Sequence, residues 1–209
     1  ANAGLQTLIG EGHAPDAHTF LSLLRVAAGA ADVPRAQSVI TRLLDSDVPP
    51  AESHFRMLLR TCVRAQRYQP RSLHENHIRV ALSVPPSMAQ LGLEVSVEVV
   101  DGVLHTLASA SRIHRAVGVV DDMYDAYGLE PSAKAFGLLF GMAKRTRRPQ
   151  LAADLLERMH ARGMEPSEEQ AELAERLSRP LEVSRHPKLP FVRWSARHGF
   201  YQPQLAPET

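Results

Sequence analysis

Apolar residues recur along the chain at the spacing of an amphipathic helix. Four bulky residues begin the pattern: Phe20, Phe55, Val100 and Phe136. Each is followed three and four positions later by an apolar pair, such as Leu23-Leu24 after the first of them. Offsets of three and four bring side chains to one face of an α-helix. The pattern therefore predicts a helix that contains each of these four positions.

A second set of helices is predicted around four alanines. These are Ala36, Ala81, Ala116 and Ala152. Apolar pairs follow three of them at the same offsets, as Val39-Ile40 does after the first. A small residue at this position lets two paired helices approach closely. In most units 16 positions separate the bulky residue from the alanine, and 19 positions separate that alanine from the next unit, which gives a period of 35.

A period of this size predicts stacked helical hairpins. We therefore expect an all-α protein, an α-solenoid in which each repeat buries its apolar face on its neighbours. The array is predicted to cover residues 1–179. It holds four complete repeats, with a second helix at 1–12 and a first helix at 168–178 as half repeats at the two ends.

Two repeats depart from the period. The second holds ten extra residues, which we place as an insertion near 67–75. Its second helix is expected to be interrupted at Pro85-Pro86, because proline removes a helical hydrogen bond and clashes with the preceding turn. The third repeat holds one extra residue, which we place near Ala126-Tyr127-Gly128.

The segment 180–209 has a different composition. Prolines are frequent there, which excludes a regular helix and predicts an extended tail. Basic and aromatic residues alternate along it, and this mixture suits a tail that lies in a groove of RNA or protein. The candidate RNA-binding residues of the tail are Lys188, Arg193, Trp194 and Arg197. The alternatives are a strap on the last repeat and a disordered end.

Charge is unevenly distributed, although the net charge is only +1 over 209 residues. Arg56, Arg60 and Arg64 are four positions apart and form one stripe of a predicted first helix. Such a stripe can neutralise phosphates, and a solvated helix face is the alternative. The candidate RNA-binding residues of the array are Arg56, Arg60, Arg64, Arg67, Lys144, Arg145, Arg147 and Arg148.

The sequence contains no recognisable catalytic motif. A P-loop, a zincin motif, a nucleophile elbow and a dinucleotide-binding turn are all missing. His74 and His77 are a weak metal signal, because no further ligand completes the pair. Cys62 is the single cysteine and falls on an apolar helix face, so we expect a packed thiol. We predict no catalytic residue, metal, cofactor or small-molecule substrate, and no apolar run reaches membrane-spanning length.

The repeats resemble the pentatricopeptide repeat family. The resemblance rests on the Phe-Leu-Leu pattern of the first helices, the mid-repeat alanine and the ending that runs from Leu155 to Pro166 with Gly163 three positions before the proline. It covers roughly residues 1–179. The tetratricopeptide family, with a period of 34 residues, is the rival, and the period of 35 favours the former. The resemblance implies that first helices line the concave face, where each repeat reads one base with two or three side chains.

The resemblance also implies which residues would read bases. The pairs are Leu21 with Ala51, Arg56 with Ser96, Asp101 with Ser132, and Gly137 with Ser167. Leu21 and Gly137 can neither donate to nor accept from a base edge, and Arg56 suits a phosphate better. Only Asp101 with Ser132 has suitable chemistry. We therefore expect a degenerate array that does not read RNA sequence.

These features predict a non-catalytic RNA- and protein-binding scaffold subunit of a mitochondrial ribonucleoprotein, with the mitochondrial ribosome as the leading candidate. The partners would be rRNA or other organellar RNA and the neighbouring proteins of a large complex, with no membrane partner. The mitochondrial localisation comes from the family resemblance alone. Two alternatives stay open: a factor for organellar RNA processing, editing or stability, and a scaffold that binds only proteins.

Overall fold

The computed structural model describes residues 15–178, and these residues form α-helices joined by short turns. The helices are α1 (Ala17–Gly29), α2 (Val33–Leu44), α3 (Glu52–Tyr68), α4 (His74–Gln90), α5 (Val97–Ser109), α6 (Ile113–Gly118), α7 (Tyr124–Ala126), α8 (Ala133–Thr146), α9 (Pro149–Ala161) and α10 (Glu168–Ser178). A 3₁₀ turn (Arg71–Leu73) precedes α4, and a π-helical turn (Val119–Met123) joins α6 to α7. The predicted helix at 1–12 and the tail at 180–209 lie outside the described residues.

The helices stack in one direction along the chain. The first helices α1, α3, α5, α8 and α10 each pack on the next one. Each repeat's second helix packs on its own first helix and on the first helix of the following repeat. This arrangement is an α-solenoid, because every repeat covers the apolar face of its neighbour. The predicted all-α solenoid is confirmed.

The residues that define the repeat form the core. Phe20 and Phe55 are 2% exposed, and Val100 and Phe136 have no exposed surface. The four mid-repeat alanines are fully buried as well. Burying a side chain of the size of phenylalanine or valine contributes about 1.5–3 kcal/mol. The periodic positions of the sequence are therefore those that hold adjacent helices together.

Short polar and glycine residues fix the helix ends. The carboxylate of Asp16 accepts a hydrogen bond of 2.7 Å from the Thr19 amide at the start of α1, and Asp32 caps α2 in the same way. Such N-caps satisfy amides that have no partner inside the helix. Gly128 and Gly163 follow helix ends with φ values of +64° and +68°, which glycine adopts without steric cost.

The ten extra residues of the second repeat lengthen both of its helices. α3 and α4 have 17 residues each, whereas α1 has 13 and α2 has 12. Only a short connection that contains the 3₁₀ turn lies between them. As a result, the end of α3 and the start of α4 extend beyond the neighbouring repeat.

The predicted interruption at Pro85-Pro86 is wrong, because α4 continues through both prolines to Gln90. Pro85 is buried and contributes its ring to the core, while Pro86 is exposed. The Ser83 hydroxyl donates to the Val80 carbonyl, 2.8 Å away. α4 packs on both α3 and α5, and this burial outweighs the local cost of two missing backbone donors.

Replacing Pro86 with alanine is expected to stabilise the protein. Proline costs about 3 kcal/mol relative to alanine inside a helix, and its stiffening of the unfolded chain returns up to about 1 kcal/mol. The free energy of unfolding should therefore rise by about 2 kcal/mol in urea denaturation. Pro50→Ala, in the turn before α3, is the control and should lose a little stability. An unchanged or lower stability of Pro86→Ala would mean that the helix needs this proline for its shape.

The extra residue of the third repeat lies earlier than we predicted. It is absorbed in the π-helical turn Val119–Met123 and not near Ala126-Tyr127-Gly128. A π turn holds one more residue than an α turn, since its hydrogen bonds span five residues instead of four. Val119 and Val120 stay buried through this turn. The apolar face of the helix is thus kept although the residue count changes.

Two further features of the described residues concern the chemistry of the chain. Cys62 is fully buried within α3, and burial raises the pKa of its thiol to about 12. The thiol therefore stays protonated at neutral pH and acts as a packing group. Across residues 15–178, none of the helices combines the length and the apolar character that a bilayer-spanning segment needs.

Candidate nucleic-acid interface

A groove of about 600 Å³ crosses the first helices α1, α3, α5 and α8. Its cationic lining residues are Arg25, Arg56, Arg60, Arg64 and Lys134. Glu98 is the one acidic residue among those that line it. We call this feature the first-helix groove. Five cations opposite one carboxylate make it a site for a polyanion.

Part of the groove lining forms a row of nitrogen-bearing side chains that follows the repeat. Arg25, Arg60 and His105 each stand five positions after the bulky residue of their own repeat. The solenoid therefore places them at equivalent points of three successive first helices, and all three line the groove. A row with one group per repeat can follow an extended chain of phosphates.

Two titratable groups of α5, Glu98 and His105, line the groove and affect its charge at neutral pH. Burial, with a further contribution from Lys134, lowers the pKa of His105, so that its ring is uncharged. A hydrogen bond from its own backbone amide lowers the pKa of Glu98, and Arg56 and Lys134 lower it further. Glu98 is therefore ionised, and the lining residues carry a net charge of +4.

Arg25 and Arg60 make no ion pair or hydrogen bond with any described side chain. Arg56 lies 3.6 Å from Glu52 of the same helix, and both groups are solvated. An exposed pair of this kind contributes little, about 0.3–0.5 kcal/mol. These three guanidinium groups are therefore available to a ligand.

Arg64 has a structural contact as well. Its Nη2 donates to the Gly29 carbonyl at the end of α1, 3.3 Å away. Arg145 does the same two repeat interfaces further on, with Nη2 donating to the Ala108 carbonyl of α5 at 2.9 Å. Both arginines stand nine positions after the bulky residue of their repeat. Each satisfies a carbonyl at the negative end of the preceding first helix.

The other basic cluster of the array does not line the groove. Lys144 and Arg145 end α8, Arg147 caps it with a left-handed φ of 49°, and Arg148 precedes α9. Arg148 instead lines a separate pocket between α6 and α9, together with Asp154. The structure thus separates the candidates of the sequence into a groove set and a turn set. Arg67 belongs to neither, and lies exposed in the last turn of α3.

On the second helices, arginines are paired with carboxylates of the neighbouring repeat. Glu75 of α4 contacts Arg115 and also Arg112, the latter at 3.3 Å. Further along, Arg158 contacts Asp121, and Arg162 lies 3.5 Å from Asp125. Each of these second-helix arginines thus has a nearby carboxylate that offsets its positive charge. In the first-helix groove, by contrast, Arg25 and Arg60 have no carboxylate partner among the described side chains.

No protein-family model matches the sequence, and no curated protein matches it. Three solved structures are similar in fold. The maize protein PPR10, a pentatricopeptide repeat protein in complex with an 18-nucleotide psaJ RNA element, matches with a TM-score of 0.66 and 16% identity over 85% of this chain and 24% of its own. The nuclear proteinaceous RNase P 2 of Arabidopsis thaliana matches with a TM-score of 0.59 and 18% identity over 77% of this chain and 34% of its own.

The third structure is the pentatricopeptide domain of protein-only RNase P 1 from Arabidopsis thaliana in complex with tRNA. It matches with a TM-score of 0.57 and 15% identity, over 74% of this chain and 76% of that one. The chain has a pentatricopeptide-repeat fold. It spans about a third of the length of RNase P 2 and about a quarter of PPR10. The resemblance seen in the sequence is thereby confirmed at the level of the fold.

The pair of residues best suited to base reading in this pentatricopeptide-repeat fold is engaged inside the protein. Asp101 is 4% exposed. Its carboxylate accepts hydrogen bonds from the Tyr124 hydroxyl at 2.5 Å and from the Ser132 hydroxyl at 2.9 Å. Ser132 also caps α8 by accepting from the Ala135 amide at 3.0 Å. We call Asp101, Tyr124 and Ser132 the buried polar cluster. The hydrogen-bond donors and acceptors of this cluster are directed at one another and not into the groove.

Two other serines at base-reading positions are also engaged. Ser96 donates to Glu52 at 2.8 Å. Ser167 exchanges hydrogen bonds with Gln170 at the start of α10, as an N-cap does. Both serines precede a first helix, but only the Ser167 hydroxyl accepts from a free helix amide, whereas the Ser96 hydroxyl is committed to Glu52.

The remaining base-reading positions differ in exposure but offer little base-edge chemistry. Leu21 and Arg56 line the groove, whereas Ala51 and Gly137 are exposed. Apart from Arg56, these residues have no polar side-chain group. This pentatricopeptide-repeat groove thus presents charge to a ligand and little that distinguishes one base from another.

Arg25 and Lys134 are not among the residues predicted from the sequence, but they line the same groove as Arg56 and Arg60. Neither residue belongs to a local cluster of charge. Aligning the repeats on their bulky residues finds Arg25, because it is the equivalent of Arg60. Charge that is spread over several repeats becomes one surface only when the repeats are superposed.

His74 and His77 lie with their ring centroids 6.4 Å apart. Burial lowers the pKa of His77, and the neighbouring His74 lowers it further. Between residues 15 and 178, no three His, Cys, Asp or Glu side chains come together as metal ligands do. The described residues therefore offer the first-helix groove as the feature with the chemistry of a binding site.

Proposed function

We propose that this chain is a non-catalytic RNA-binding scaffold whose first-helix groove holds the RNA backbone by charge. The single observation that carries the proposal is the accumulation of Arg25, Arg56, Arg60, Arg64 and Lys134 in one groove with a single opposing carboxylate. Single-stranded RNA carries one phosphate per nucleotide, and arginine binds phosphate with two parallel hydrogen bonds. The engagement of Asp101 and Ser132 with each other argues against recognition of base edges.

Two of the similar structures support an RNA ligand. PPR10 was solved with an 18-nucleotide RNA element, and the domain of RNase P 1 with tRNA. The fold is thus one that accommodates RNA in other proteins. In this chain, the number and position of the groove cations support binding of RNA through its phosphate backbone.

The larger assembly is a mitochondrial ribonucleoprotein, with the mitochondrial ribosome as the leading candidate. Family resemblance supports the organelle, and the loss of base-reading chemistry supports a structural subunit. In such a complex the groove would contact rRNA, and the second-helix face would contact neighbouring proteins. Crosslinking with sequencing from organelles, read with sedimentation, tests this assignment. Crosslinks in one rRNA region together with ribosomal comigration are expected.

An RNA-processing factor is the second candidate, because two of the similar structures are protein-only RNase P proteins. The chain spans only 34% of RNase P 2, so the comparison leaves that protein's remaining length without a counterpart here. Crosslinks at one site of a transcript or a tRNA, away from ribosomes, would favour this candidate over the ribosomal one.

RNA affinity is expected to fall steeply with salt and to vary little with base sequence. For single strands, the logarithm of the affinity falls with the logarithm of salt by about 0.7 for each phosphate neutralised. Four to five cations in the groove therefore predict a slope of about −3. Fluorescence anisotropy with several unstructured oligonucleotides of equal length measures both properties. A flat salt dependence, or a strong preference for one sequence, would contradict backbone recognition.

A complete lack of RNA binding at low salt would overturn the proposed function and leave a scaffold that binds only proteins. Heparin, a polyanion without bases, is a useful companion ligand. Binding to heparin with a similar salt slope is expected, because the groove recognises charge.

A further inference from the structure

An exposed aromatic side chain stands at the tip of α3. Tyr68 is the last residue of this helix and is 63% exposed, the most exposed of the large apolar and aromatic side chains between residues 15 and 178. α3 continues thirteen positions beyond Phe55, whereas α1 and α5 each end nine positions beyond their own bulky residues. The lengthened second repeat thus carries Tyr68 about one helical turn past the adjacent first helices.

Two guanidinium groups lie against the Tyr68 ring. The Cζ atoms of Arg64 and Arg67 are 5.6 Å and 5.7 Å from the ring centroid, within the range of a cation–π contact. Arg64 is itself held by the Gly29 carbonyl at the end of α1. The ring is therefore oriented by neighbours that are partly fixed, while most of its surface stays open to solvent.

The ring is continuous with the first-helix groove. Arg64 lines the groove and also contacts Tyr68, so one side chain joins the two features. Arg56, Arg60 and Arg64 stand four positions apart on α3, and Tyr68 is the next position of that series. A strand of RNA that contacts these arginines would therefore reach the ring at the end of the helix. An unpaired base exposes its flat faces to water, and an aromatic ring at this point would cover one of them.

We propose that Tyr68, together with Arg64 and Arg67, forms a stacking site for one unpaired base of single-stranded RNA at the end of the groove. This inference rests on the proposed function, since it needs an RNA in the groove. Aromatic rings and guanidinium planes both stack on bases, and every base offers a face. The site would therefore add affinity for nucleotides without selecting a sequence.

The charge around Tyr68 favours nucleic acid over a protein surface of mixed charge. Arg64, Arg67 and Arg71 all belong to the last two turns of α3 or to the 3₁₀ turn that follows it. The acidic residue next along the chain, Glu75, is occupied by Arg112 and Arg115. An aromatic ring among unopposed cations is the combination that single-strand binding proteins use.

The test compares Tyr68→Ala with Tyr68→Phe in the full chain. Binding of a single-stranded homopolymer and of an abasic oligonucleotide of equal length is measured by fluorescence anisotropy. We expect Tyr68→Ala to lower affinity for the homopolymer about tenfold and to leave affinity for the abasic strand unchanged. Tyr68→Phe should bind like the original protein, because phenylalanine keeps the ring. Leu91→Ala removes another exposed apolar side chain and serves as the control.

The outcomes separate this inference from the proposed function. If the original protein binds the homopolymer and Tyr68→Ala binds it equally well, the stacking site is refuted while backbone binding stands. An equal loss for the abasic strand would also refute stacking, because no base is then involved. If the original protein binds neither strand, the proposed function fails and the stacking site fails with it. Far-UV circular dichroism verifies that each variant is folded.

Discussion

Changing Arg25, Arg56 and Arg60 together to glutamine is expected to lower the affinity for single-stranded RNA about a hundredfold at 0.1 M salt. Each phosphate contact contributes about fivefold at this salt relative to 1 M, because the logarithm of affinity changes by about 0.7 per contact. Three contacts then multiply to about a hundredfold, and the salt slope should become shallower by about 2. Titrations of both proteins over a series of salt concentrations measure the two effects together.

These three arginines are the appropriate choice because they line the groove without a structural bond to another helix. Arg64 lines it too, but its bond to the Gly29 carbonyl means that its removal would also disturb the contact between α1 and α3. The matched control changes Arg35, Arg42 and Arg79 of the second helices α2 and α4, which removes the same charge from elsewhere. An equal loss of affinity in the control would show that the total charge, and not the groove, binds RNA.

Replacing Asp101 with alanine is expected to reduce the free energy of unfolding by about 3 kcal/mol. The substitution removes two hydrogen bonds to a buried carboxylate and leaves the hydroxyl of Tyr124 without its partner in the core. Burial and the bond to Asp101 raise the pKa of Tyr124, so the hydroxyl is protonated and needs an acceptor. Urea denaturation followed by circular dichroism measures the loss.

A double-mutant cycle identifies the source of that loss. Tyr124→Phe removes the hydroxyl that Asp101 satisfies, so the two substitutions together should cost clearly less than the sum of the single changes. Asp122→Ala, at an exposed position of the same helical segment, should change stability by less than about 0.5 kcal/mol. Additive effects of Asp101 and Tyr124 would mean that their short contact contributes no coupling.

RNA affinity in the Asp101 variant gives a separate result. Because the carboxylate is buried, folded Asp101→Ala should bind RNA as well as the original protein does. A specific loss of affinity in a folded variant would instead indicate that Asp101 contacts RNA directly.

The repeat architecture can be predicted from the sequence because the same spacing of bulky residues and alanines recurs along the chain. Each bulky residue and each alanine predicted from the period lies in the core, since a solenoid buries the same positions of every unit. The predictions that depended on one local signal did less well. Pro85-Pro86 was expected to end a helix, but burial between α3 and α5 overrides the propensity of proline.

The groove could be predicted only in part. Arg56, Arg60 and Arg64 form a visible stripe, because they belong to one helix. Lys134 is separated from them by about 70 residues, and only the stacking of α8 on α5 brings it to the same surface. The hydrogen bond from Tyr124 to Asp101 could not be predicted from the sequence either, since 23 positions and a π turn lie between the two residues. Contacts between helices, both within a repeat and between repeats, therefore decide which polar residues remain free.

The π-helical turn at Val119–Met123 also preserves the register of the repeats that follow it. A residue gained in the middle of a helix would normally rotate everything after it by about 100° and expose the core of the following repeats. Here the wider turn confines the change to five residues, and Phe136 and Ala152 keep their buried places downstream. The third repeat is thus one residue longer than the period of 35, and the wider turn keeps the repeats that follow it in the same register.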